Sequence, residues 1–110
     1  MEGSELDIFP ENLPGISYKE LYEKTWDQIA KDFHPYISLE KRPDTLGPQA
    51  LFDATRDLLT KIMKDSPSDL QAILYRIDLK ESQKSNHIEQ LTYFIVRREA
   101  QKVWLRKSFS

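Results

Sequence analysis

Residues 86–107 read NHIEQLTYFIVRREAQKVWLRK, and the arrangement of the whole chain turns on them. No proline or glycine interrupts the stretch, so it predicts one helix from about Asn86 or His87 to about Lys107. Asn86 and Glu89 have the spacing of an N-cap and its partner. At about 100° per residue, Ile88, Leu91, Phe94 and Ile95 fall on one side. Tyr93, Val96, Ala100, Val103 and Trp104 fall on nearly the opposite side. A helix apolar all round is buried on all sides. Two arrangements satisfy this pattern. In one, the helix is central and the rest of the chain surrounds it. In the other, one face packs within the chain and the second, centred on Tyr93, Val96, Ala100, Val103 and Trp104, meets a second chain. An exposed face of that composition is an interface.

Working back from this helix, three more precede it. Ser17 and Glu20 have the spacing of a capping box, and Ile16 and Leu21 that of a hydrophobic staple. Leu21, Trp26, Ile29 and Phe33 then give one apolar face, until Pro35 stops the helix. A second helix opens at Gly47-Pro48 and carries Leu51, Phe52, Leu58, Leu59, Ile62 and Met63. The third is short. Ser66, Pro67 and Asp69 form its start, and Leu70, Ile73, Leu74 and Ile77 its apolar side. Residues 35–47 are a proline-containing linker whose Tyr36, Ile37 and Leu39 are expected to pack on the domain, and 78–86 a polar loop.

The expected fold is therefore all-α: a compact four-helix, bundle-like domain over residues 17–110, three helices long and one short. Residues 1–16 form an irregular arm with four acids (Glu2, Glu5, Asp7, Glu11) and no base. At 110 residues one hydrophobic core is affordable without staples. The absence of cysteine removes disulfides and thiolate metal sites. No basic and apolar leader opens the sequence and no apolar run is long enough to span a bilayer, so a cytoplasmic protein without a membrane partner is expected.

Formal net charge is −2, which disfavours nucleic acid as a partner. The C-terminal stretch differs from the whole. Arg97, Arg98, Lys102, Arg106 and Lys107 stand against Glu99 alone, five minus one, or +4. Basic residues suit the C-terminal end of a helix, and they can also pair with the acidic arm. The alternative is a patch for an anion, an acidic partner or a nucleic acid.

Chemistry is sparse. Asp53 and Asp57 are four apart, as a cation site or acid–base pair requires, but basic neighbours make them a solvated face. His34 and His87 belong to no metal-ligand pattern. No phosphate-cradling glycine loop and no nucleophile motif is present, so neither catalytic residue, metal ligand nor cofactor is named. A helix-turn-helix formed by the second and third helices would present Asp69 and Asp78 to phosphate, which argues against it.

The stretches ILYRIDL (73–79) and IVRREAQKVWLRKSF (95–109) resemble small bacterial all-α proteins that have no assigned activity. The resemblance covers about the C-terminal third and carries over no functional residue. The expected function is a non-enzymatic protein-interaction or adaptor module, self-associating or binding another protein.

Overall fold

In the computed structural model, residues 15–39 and 42–108 are described; the expected arm lies outside them, save for Gly15 and Ile16. Four α-helices follow in order: α1 (Tyr18–Phe33), α2 (Pro48–Asp65), α3 (Leu70–Ile77) and α4 (Ile88–Ser108). No strand occurs among the described residues, and the protein is all-α. The helices share one core, to which α1 gives Leu21, Trp26, Ile29 and Phe33, α2 gives Leu51, Leu59 and Ile62, and α3 gives Ile73, Leu74 and Ile77. Leu58, Leu70 and Ile88 are half-buried at its margin. Tyr36, Ile37 and Leu39 of the linker pack against it.

The ends of the helices show local chemistry at work. Ser17 Oγ accepts from the Glu20 N–H at 3.1 Å, as the cap predicts. The reciprocal half of the box is absent, because the Glu20 carboxylate faces Lys24 at 3.3 Å and Lys107 at 3.5 Å. Between α2 and α3 only Ser66 is non-helical, and a single 3₁₀ turn over Pro67–Asp69 carries the chain round. Its Ser66 side chain makes no capping bond; the Asp69 N–H donates to Ser66 O at 2.9 Å instead. A tighter turn is what a connection this short requires. After α3, Asp78 takes the left-handed conformation (φ 68°), and its N–H closes on Leu74 O at 3.0 Å. Leu79 then drops into the core, in the manner of a left-handed C-cap with its hydrophobic contact. Asn86 does not cap α4. The Leu91 N–H donates to His87 O, and the His87 N–H to Ser85 Oγ at 3.0 Å, so the start slips by one residue.

α4 packs against α1, α2 and, more lightly, α3. Its buried residues are Leu91, Thr92, Ile95, Val96, Glu99, Ala100 and Val103. At about 100° per residue these seven fill one continuous arc of roughly 180°. Gln90, Arg97 and Gln101 are exposed on the other side. The two apolar faces read from the sequence are thus the two flanks of a single broad buried face. Thr92 and Glu99 occupy its middle, and their polarity splits it in two on a hydropathy wheel. The helix is neither wrapped on every side nor left with an apolar face to spare.

Candidate functional site

The basic segment is dispersed by this packing. Arg98 Nη2 donates to Asp78 Oδ2 at 3.1 Å and Nη1 to Gln101 Oε1 at 2.9 Å. Lys107 Nζ reaches Glu20 Oε2 at 3.5 Å. Both guanidinium nitrogens of Arg106 donate to Gln28 Oε1, each at 3.3 Å. Arg97 is exposed and has no hydrogen bond or ion pair among the described residues. Lys102 turns inward. The five cations expected to form one patch therefore divide between two surface grooves and the interior.

The first groove runs between α1 and α4, with a cavity volume of about 510 Å³. Lys24, Asp27, Gln28 and Lys31 line one wall, and Val103, Arg106 and Lys107 the other. The helices are antiparallel here, since Glu20 at the start of α1 meets Lys107 at the end of α4. Four cations against Asp27 leave a local charge of +3, or +2 with the adjoining Glu20. The second groove, of about 520 Å³, lies between α4 and the loop after α3. It is lined by Lys80, Arg97 and Arg98, together with Asp78, Gln83, Phe94 and Gln101.

Behind the first groove lies a buried ionic cluster. Glu99 has no exposed surface and Asp32 is 4% exposed. Lys102 Nζ sits between them, 3.1 Å from Asp32 Oδ2 and 3.0 Å from Glu99 Oε1, and it also donates to Arg76 O at 3.1 Å. Arg76 Nε stands 3.9 Å from Asp32 Oδ1, and Gln28 Nε2 donates to Asp32 Oδ2 at 3.3 Å. Neither oxygen of Glu99 accepts a hydrogen bond. Burial, reinforced by the neighbouring Asp32, pushes the Glu99 carboxyl up to about 9. For Asp32, burial opposes ionisation, but the contact with Glu99 and the charge and hydrogen bond of Lys102 outweigh it, and its value is lowered. The pair thus holds one proton, carried by Glu99, and the cluster keeps Asp32 and Lys102 as its ion pair.

Of the residues read as an interface, Val96, Ala100 and Val103 are core residues of the single chain. Tyr93 and Trp104 are half-buried against that core, with Tyr93 edge-on to Phe94 at 5.5 Å. In the sequence, Glu99 and Asp32 each look like an ordinary charge among basic neighbours. The usable signal was position: Glu99 bisects the two apolar flanks of α4. Asp53 meets Gln49 and Arg56 in solvent, as a solvated face should. His34 and His87 are exposed. No three acids or histidines gather into a metal-holding group among the described residues, and no helix there is long and apolar enough to cross a membrane. The chain matches no family model, no curated protein and no solved structure.

Proposed function

We propose that this protein is a non-enzymatic interaction module that takes an acidic segment of a partner protein into the groove between α1 and α4. The observation carrying this reading is the lining, where Arg106 and Lys31 carry charge that no carboxylate among the described residues answers. Arg106 leans on the neutral amide of Gln28, and Lys31 has no hydrogen bond or ion pair among the described residues. Lys24 and Lys107 share Glu20 in solvent-exposed ion pairs, which water and salt screen and which yield readily to a competing carboxylate. Gln28 and Val103 supply a polar and an apolar floor. An acidic peptide suits this groove better than a nucleic acid. The whole chain is net negative, and its cations are split between two sites instead of tracking a backbone.

The test is fluorescence anisotropy with a labelled Glu/Asp-rich peptide, with a DNA duplex as competitor. Binding should weaken as salt rises. The double variant Lys31→Glu, Arg106→Glu should bind at least about tenfold more weakly, equivalent to roughly 1.4 kcal/mol. Arg97→Glu, in the other groove, should leave affinity unchanged. Equal binding by the double variant, or ready displacement of the peptide by the duplex, would count against the proposal.

A further inference from the structure

The buried cluster and the groove are joined by a continuous chain of polar contacts. From the groove inward, Arg106 donates both guanidinium nitrogens to Gln28 Oε1 at 3.3 Å. Gln28 Nε2 donates to Asp32 Oδ2 at 3.3 Å. The same Asp32 oxygen accepts from Lys102 Nζ at 3.1 Å, and that ammonium lies 3.0 Å from Glu99 Oε1. Gln28 is the joint: one end of its amide lines the groove wall and the other holds the buried acid. Lys102 is the second joint, since it divides one ammonium between two carboxyls.

We infer that Glu99 is a proton-binding site linked to the groove, so that the protonation state of this buried carboxyl sets how Gln28 holds Arg106. The inference rests on the groove reading for its function and on the contact chain for its mechanism. With the proton in place, Glu99 is neutral and Lys102 answers Asp32 alone. When the proton leaves, two negative charges share one ammonium, and Lys102 is drawn toward Glu99. Asp32 then leans harder on its remaining donors, Gln28 Nε2 from α1 and Arg76 Nε from α3. A stronger pull on one end of the Gln28 amide polarises and reorients the other, where Arg106 sits. The charged groups facing the pair come from three helices: Asp32 on α1, Arg76 on α3 and Lys102 on α4. The buried residues of α2, Leu51, Thr55, Leu59 and Ile62, include no titratable group. By linkage, an anion that draws Arg106 away from Gln28 shifts the proton on Glu99, and the proton shifts the anion's affinity equally.

The experiment is a carbon-detected NMR titration of the free 110-residue chain from mildly acidic to alkaline pH, following Glu99 Cδ, Gln28 Cδ and Arg106 Cζ. Glu99 should titrate with a midpoint near 9, and the Gln28 and Arg106 carbons should shift with that same midpoint. In Glu99→Gln, which keeps the side-chain shape, both carbons should lose that transition. In Gln28→Met, Glu99 should still titrate while Arg106 stays flat. A Glu99 midpoint in the ordinary carboxylate range would overturn the inference, as would flat Gln28 and Arg106 carbons in the wild-type chain. No peptide enters this measurement, so failure of the groove to bind in anisotropy and failure of the coupling are read separately.

Discussion

Glu99 is a fully buried acid whose protonation changes on folding. A carboxyl with no exposed surface and a second carboxyl beside it is costly to ionise even with an ammonium 3.0 Å away, and this one keeps its proton at neutral pH. The pH dependence of stability follows from two opposite signs. The unfolded chain releases the Glu99 proton at the ordinary carboxylate value of 4.5, while the folded chain retains it to about 9. Between those limits the folded state binds more protons, so stability falls as pH rises, by up to roughly 1.4 kcal/mol per unit. Asp32 acts the other way. Its lowered folded value adds stability that is complete above its unfolded value of 3.8 and is lost as pH falls through the folded value. Together they place the cluster's stability maximum in acidic solution, around the unfolded carboxylate values of 3.8 and 4.5. Urea unfolding at a series of pH values should show stability declining from there into the alkaline range. Glu99→Gln should remove most of that decline and make the chain more stable than wild type at mildly alkaline pH.

At the scale of the element, α1 and α4 show how far local rules reach. The start of α1 was legible from four residues, and Ser17 does cap it. Ser17→Ala should cost about 1 kcal/mol, checked as a lowered urea midpoint with unchanged slope. Helix α4 was legible as a helix but not as a packed element. A hydropathy wheel scores Thr92 and Glu99 as polar and so divides the buried arc in two. Thr92 is satisfied locally, its hydroxyl donating to Ile88 O at 2.7 Å, which lets it sit inside. Glu99 is admitted by its proton and by Lys102, and although its position between the two apolar flanks is readable in residues 86–107, its proton depends on Asp32 of α1, which that stretch does not contain. The basic residues were likewise legible as a cluster in sequence. Their separation was not, because four of the five find partners elsewhere in the chain: Arg98 at Asp78, Lys102 at Asp32, Arg106 at Gln28 and Lys107 at Glu20.

For the whole molecule, the filling of α4's broad face changes what association is expected. Of the residues that motivated a second chain, Val96, Ala100 and Val103 are already covered by the chain's own helices, and Tyr93 and Trp104 are half-buried against the same core. Light scattering after size exclusion should therefore give a mass near 13.0 kDa that does not change with concentration. A mass near twice that value would mean that copies associate through some other surface. The most exposed of the large hydrophobic side chains among the described residues, Tyr75 on α3 at 84%, would then be the place to substitute first.

The sequence by itself determined the all-α class, the order of the helices, their limits to within a residue or two except at the start of α3, where a 3₁₀ turn stands in place of the expected first turn, and most of the apolar core. Those follow from proline and cap positions and from the 3.6-residue repeat, which act over one or two turns and need no knowledge of neighbours. Only the tertiary structure decided which charges are buried, which are paired and where the grooves lie. A carboxyl's state depends on the water removed around it and on charges brought near from distant parts of the chain. For Glu99 those parts are Asp32 of α1, more than sixty residues away, and the packed face of α4 that carries it inside.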